Sequence, residues 1–170
     1  TFALVNQNAG ANALNVAVGY NAGAGISTGT DNTIIGGYAG DALTTGQYNV
    51  AIGRSALSSE DAYGYNVAIG AFALLNQNAA DNAFNVAVGY NAGGNVTTGL
   101  YNTIIGGQAG DALTTGSNNV AIGVNALSTE DAHGRNVAIG RDALKLQDAG
   151  VDGYNTAIGY VAGANVTTGT

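Results

Sequence analysis

His133 is the only histidine of the 170-residue chain, and a lone imidazole is the first residue to weigh for general acid/base chemistry. The chain repeats itself at long range, and the counterpart of His133 in the earlier copy is Tyr63. A catalytic base does not alternate with tyrosine in equivalent places, so His133 is expected to be a surface-loop residue. The paired acids Glu60-Asp61 and Glu130-Asp131 also recur at this long interval, and Asp41 and Asp111 share another turn site. Stacked carboxylates suit Ca²⁺ or Mg²⁺, which favour oxygen ligands. The calcium-binding nonapeptide of toxin-type solenoids is missing, however, so solvated turn acids without a metal are the expectation. The stretch Gly36-Gly37-Tyr38-Ala39-Gly40 lacks the Gly-Lys-Ser/Thr that a phosphate cradle needs. No serine recurs beside a histidine and a carboxylate as a nucleophile would. These residues predict no enzyme and no cofactor.

Aromatic side chains offer binding instead of catalysis. Tyr20, Tyr90 and Tyr160 recur at the same long interval and are candidates for surface binding, because exposed rings stack on sugars or seat a protein partner. Tyr48, Tyr65, Phe84, Tyr101 and Tyr154 form a second set at a shorter interval. Both sets have a plainer reading, in which they cover the ends of a thin core. Thr44-Thr45, Thr97-Thr98, Thr114-Thr115 and Thr167-Thr168 would suggest ordered water at an ice surface, but adjacent side chains diverge on a strand.

The composition narrows the partners. Eleven Asp and Glu face only Arg54, Arg135, Arg141 and Lys145, for a formal net charge of -7. Binding to nucleic acid or to an anionic membrane surface is therefore not expected. No cysteine is present to build a disulfide framework or a thiolate metal site. No run of 18 apolar residues occurs, so membrane insertion is not expected, and Thr1-Phe2-Ala3-Leu4-Val5-Asn6 lacks a basic start and a signal core. The chain opens and closes in mid-pattern, which reads as a segment of a longer polypeptide.

That pattern is the main message of the sequence. The phrase Asn-Val-Ala-Ile-Gly and its variants start at Asn15, Asn32, Asn49, Asn66, Asn85, Asn102, Asn119, Asn136 and Asn155, with separations of 17, 17, 17, 19, 17, 17, 17 and 19. Residues 15–84 and 85–154 are thus two copies of one super-unit of four phrases, and residues 155–170 begin a third. Counting each Asn as zero, position four is always glycine: Gly19, Gly36, Gly53, Gly70, Gly89, Gly106, Gly123, Gly140 and Gly159. Position seven is always Ala, and position eight rotates Gly, Gly, Leu, Leu, as in Gly23, Gly40, Leu57 and Leu74.

A period of 17 is too short for a helical-hairpin repeat, and glycine at this density costs a helix about 1 kcal/mol per residue against Ala. The expected fold is therefore all-β: a parallel β-solenoid of about ten coils of 17–19 residues, forming one domain over 1–170. Parallel stacking at about 4.8 Å per coil makes it a rod roughly 48 Å long. The side chains at positions one and three share a strand face and are expected to fill the coil interior. Gly at position four is expected to turn the corner. The nine Asn should form a structural ladder of amides bonded to one another and to corner backbone. Position two is also apolar, Ala in most coils and Ile34 and Ile104 in two, so the strand has no polar face. A strand apolar on both sides needs a second apolar partner. In a thin coil that partner is another chain, so the rod is expected to oligomerise through this strand.

Asn49-Val50-Ala51-Ile52-Gly53 with Ala56, Asn66-Val67-Ala68-Ile69-Gly70 with Ala73, and their counterparts resemble the head repeats of trimeric autotransporter adhesins and the repeats of bacteriophage tail fibres. The resemblance covers nearly the whole chain. It implies a left-handed parallel β-roll packed as a homotrimer, in the extracellular part of a bacterial cell surface or a virion tail fibre. The implied function is structural and adhesive, with a cell-surface glycan or protein as receptor. The coils here are longer than the roughly 14 residues usual in such adhesin heads, and phrases such as Ala42-Leu43-Thr44-Thr45-Gly46 suit the phage-fibre version better. The alternative function is a solenoid module that binds glycan, calcium or ice along one face.

Overall fold

A computed structural model describes residues 2–10 and 12–169, while Thr1, Ala11 and Thr170 lie outside the described residues. Each Asn-Val-Ala-Ile-Gly phrase supplies one three-residue strand. They are β1 (Val16–Val18), β2 (Thr33–Ile35), β3 (Val50–Ile52), β4 (Val67–Ile69), β5 (Val86–Val88), β6 (Thr103–Ile105), β7 (Val120–Ile122), β8 (Val137–Ile139) and β9 (Thr156–Ile158). All neighbours are parallel, and the sheet order is the sequence order. The register puts like on like, for example Val50 on Val67, Ala51 on Ala68 and Ile52 on Ile69. The longer step between β4 and β5 keeps the same register, Val67 on Val86 and Ala68 on Ala87. The two inserted positions are therefore absorbed in the turn. Nine strands enclose eight complete turns of a β-solenoid, against the ten or so coils expected. Among the described residues there is no helix, and hence none long and apolar enough to cross a membrane.

Such short strands form because the backbone pairing runs on past them. Gly40 N–H donates to Ala56 O at 2.9 Å, Leu57 N–H to Ala73 O at 3.0 Å and Leu74 N–H to Ala92 O at 3.1 Å, so turns stack as the strands do. The corner after each strand is the position-four glycine, with φ between 130° and 141° in every coil. At Gly53 a Cβ would lie 2.5 Å from the Gly70 carbonyl carbon and oxygen and 2.9 Å from Ala71 N. The glycine column is thus required twice, by its backbone angle and by the coil above it. Non-glycine residues also take the left-handed conformation at fixed places. One is the residue before each Asn, such as Tyr48 at 56° and Tyr65 at 64°; another is position six, such as Ser55 at 53° and Phe72 at 64°. The leucines of position eight do the same, Leu57 at 51° and Leu74 at 47°.

The interior reverses one expectation. Position two points into the coil, with Ile34, Ala51, Ala68, Ala87, Ile104, Ala121 and Ala138 fully buried. Positions one and three, expected inside, face outward: β3, β4, β5, β7 and β8 are half-buried at both, and Ile35 and Ile105 are exposed. The physical reason is space. Beneath the strand the coil already holds the buried Ala of position seven and two further columns, positions eight and eleven. Position eleven is Ile26, Leu43, Glu60, Gln77, Val96, Leu113, Glu130 and Gln147, each with no exposed surface, and the half-buried Val166 in the last coil.

Positions eight and eleven compensate for each other. Where position eight is Gly, position eleven is a large apolar residue that fills the space. A Cβ on Gly40 or Gly110 would meet the terminal methyl of Leu43 or Leu113 at 2.9 Å. Where position eight is Leu57, Leu74, Leu127 or Leu144, position eleven is Glu or Gln. The Gly, Gly, Leu, Leu rotation is thus a swap of which wall fills one narrow core. Each buried leucine contributes roughly 1.5–3 kcal/mol of burial free energy.

Candidate functional site

What orients the outer face is the asparagine ladder. At all eight steps the Oδ1 of one anchor accepts from the backbone N–H of the next: Asn15 from Asn32 at 2.9 Å, Asn49 from Asn66 at 3.0 Å, Asn102 from Asn119 at 2.9 Å, and so on to Asn136 from Asn155 at 3.2 Å. The Nδ2 amide closes its own turn by donating to a later carbonyl of the same coil, as Asn32 does to Gly46 and Asn102 to Gly116, both at 2.9 Å. Of the two kinds of bond expected, amide to backbone predominates, and an amide-to-amide rung occurs between Asn32 and Asn15 at 3.1 Å. In the two longer coils this closing bond is missing, and the buried Nδ2 of Asn66 and Asn136 has no partner.

Held this way, each strand shows its Val/Thr and Val/Ile pair to the outside. The result is an uncharged, largely apolar strip along nine strands, interrupted by the hydroxyls of Thr33, Thr103 and Thr156. On the end strands Val16, Val18 and Ile158 are at least half exposed, at 50%, 59% and 68%, while the inner strands are half-buried at these positions apart from the exposed Ile35 and Ile105. The strip runs the length of the rod, and extended apolar surfaces of this kind mark contacts with other molecules.

The two aromatic sets take different places. Tyr48, Tyr65, Phe84 and Tyr101 stack face to face up the rod, with centroids 5.1, 4.9 and 5.7 Å apart and planes within 27°. Their faces are thus used on each other, leaving edges for solvent. Tyr154, further along the same column, lies under the Arg135 guanidinium, 5.4 Å from ring centroid to carbon. Arg135 also pairs with Asp152. The candidate binding tyrosines, Tyr20, Tyr90 and Tyr160, stand just past the glycine corner and are 51%, 59% and 74% exposed. Tyr20 touches Tyr38 edge-on at 5.2 Å, and Tyr90 touches Phe72 at 6.0 Å. The hydroxyls of Thr44 and Thr114 are spent on the carbonyls of Asp61 and Asp131 one coil away, both at 2.8 Å. A shallow polar cleft lies beside the aromatic stack, lined by Thr45, Gln47, Ala62, Gly64, Tyr65 and Asn82.

The paired acids depart from the expectation of solvated turn residues. Asp61 and Asp131 are exposed, but Glu60 and Glu130 occupy the inward column at position eleven and are fully buried. Burial pushes the Glu60 carboxyl up to about 7, against donation from the Tyr63 backbone N–H, which lies 3.3 Å from Oε1. Burial likewise raises the carboxyl of Glu130. The sequence signal was available: the same position holds Ile26, Leu43, Val96 and Leu113 in other coils. His133, expected on the surface, is half-buried, and its Nδ1 is enclosed. No protein-family model matches this chain, and no curated protein or solved structure matches it either.

Proposed function

We propose that the chain is a non-catalytic structural segment of an extracellular trimeric fibre, of the surface-adhesin or phage tail-fibre kind, that presents repeated turns for attachment. The observation that carries this reading is the outward strip of Val, Ile and Thr on β1 to β9. A strip of fixed width and regular pitch, free of charge, is suited to a partner with the same pitch, and a second and third copy of the chain have it. Three strips meeting about one axis bury each other and leave the turns, the acids and the tyrosines outside. Association through cores of this kind is driven chiefly by apolar burial. Repetition then multiplies weak contacts at the turns into useful avidity.

Light scattering on the purified chain tests the assembly. A native mass three times the 16.7 kDa chain mass is expected. Lysine at Ile52, Ile69 and Ile122 together, on the strip and away from the inward columns, should dissociate it. A parent chain that is monomeric at all concentrations refutes the trimer.

One observation favours glycan binding as a second reading: Tyr20, Tyr90 and Tyr160 repeat every fourth step and are exposed. At about 4.8 Å per coil they stand roughly 19 Å apart, a spacing suited to a long or branched saccharide. Glycan-array signal that disappears on changing all three to Ala would support it.

A further inference from the structure

We propose that Glu130, Asp131, His133 and Asp148 form a site for one divalent transition-metal ion of the zinc class. One ligand atom from each of these residues lies within 4.8 Å of every other. The stacking explains why. Glu130, Asp131 and His133 belong to the turn after β7, and Asp148 follows Asp131 by one repeat period, directly one coil on. Asp148 is held there by its backbone N–H, which donates to Thr167 O at 2.8 Å.

One buried atom particular to this turn points to a missing ligand, the imidazole Nδ1 of His133. Glu130 beside it has no exposed surface and an unpartnered Oε2, a feature that Glu60 shares in the equivalent turn. The Nδ1 of His133 is enclosed and also unpartnered; it lies 3.3 Å from Glu130 Oε1 without hydrogen-bond geometry. The other Glu130 oxygen accepts from the His133 backbone N–H at 3.2 Å, which fixes the carboxylate. A buried carboxylate oxygen and a buried imidazole nitrogen left open side by side cost free energy unless a third group binds both. Two further carboxylates stacked one coil apart repel each other unless a cation lies between them. One imidazole nitrogen among carboxylates is a donor set for Zn²⁺ or its neighbours in the series, rather than for Ca²⁺ or Mg²⁺.

The chain carries its own control. The equivalent turn of the preceding super-unit has Glu60, Asp61, Tyr63 and Asn78. It keeps two acids but has Tyr for His133 and Asn for Asp148. His133→Tyr and Asp148→Asn therefore install side chains that the same fold already accepts at the same place.

Calorimetric titration of ZnCl₂ into the full chain is the test, with CaCl₂ as comparison. One Zn²⁺ per chain is expected, with at least tenfold weaker binding in Asp148→Asn and no binding in His133→Tyr. Because His133 is the only histidine, the single imidazole in the NMR spectrum reports directly and should shift on saturation with one equivalent. Absence of binding in the parent chain overturns the proposal. So does binding of equal strength in Asp148→Asn, since that would be a lone surface imidazole. Calcium binding as tightly as zinc overturns the assignment of metal class.

Discussion

Replacing Asn102 by Ala should damage the rod at one identifiable rung. Asn102 lies near the middle of the rod and is 1% exposed. Its Oδ1 accepts from Asn119 N–H at 2.9 Å, and its Nδ2 donates to Gly116 O at 2.9 Å. Alanine leaves both backbone groups in place without their partners, and the coil is too tightly stacked to admit water freely. Stranding a buried polar group costs about 1–3 kcal/mol, so two cost about 4 kcal/mol. In a repeat array such a loss need not appear as one global transition. Native-state hydrogen exchange at Asn119 is the direct assay, and about 4 kcal/mol corresponds to roughly a thousandfold faster exchange there. Asn155→Ala supplies the contrast: it is the last anchor of the series and half-buried, no later anchor N–H donates to its Oδ1, and its loss should cost about 1 kcal/mol. If Asn119 exchange rises less than tenfold in Asn102→Ala, or if the two variants lose equal stability, the ladder is not what holds successive coils in register.

Two other outcomes follow from the same columns. Gly53→Ala should cost about 3–5 kcal/mol in urea unfolding, because its Cβ would meet the Gly70 backbone at 2.5 Å and its φ of 134° disfavours any side chain; Gly107→Ala, with nothing within 4 Å, should fall within about 0.5 kcal/mol of the parent. Glu60 makes stability depend on pH: its carboxyl is raised from 4.5 to about 7 in the fold, so the folded state binds the proton more tightly than the unfolded chain. Its contribution is fully present below pH 4.5, falls as pH rises through 7, and amounts to about 1–3 kcal/mol after allowance for solvent screening. Glu60→Gln should flatten that slope in urea midpoints measured from about pH 4.5 to 8, the remaining slope coming from Glu130, Asp41 and Asp111, whose carboxyls burial also raises.

The sequence was most legible where translation alone decides. Asn recurring nine times at steps of 17 or 19 can be stacked only like on like, and the register of Val67 on Val86 across the longer step follows. The corner at Gly53 was legible for the same reason, since any side chain there meets its own copy one coil away. What could not be read from periodicity is which strand face is inside. Alternation separates Val50 and Ile52 from Ala51 but does not say which set turns inward, and size suggested the wrong one. The deciding fact is three-dimensional: in the Leu57 coil the strand contributes only the methyl of Ala51 to the core, whereas beside Gly40 and Gly110 the missing side chain leaves room for Ile34 and Ile104. The candidate metal cluster was hidden for a related reason. Asp148 and Asp131 are far apart in sequence logic until the coil length places one on the other, and Glu130 looked like a turn acid until its column was seen to be an interior one.

The left-handed residues before each asparagine and at position six have a kinetic consequence. Tyr65, Phe72 and Phe84 would avoid that conformation in an isolated peptide, where it costs roughly 1–2 kcal/mol apiece. A solitary coil therefore cannot hold its own shape, and its bends are stable only once a finished neighbour supplies the carbonyls they bind. Assembly should start with a slow event that organises a few coils at once and then advance by rapid addition at the growing end, as a crystal grows from a seed.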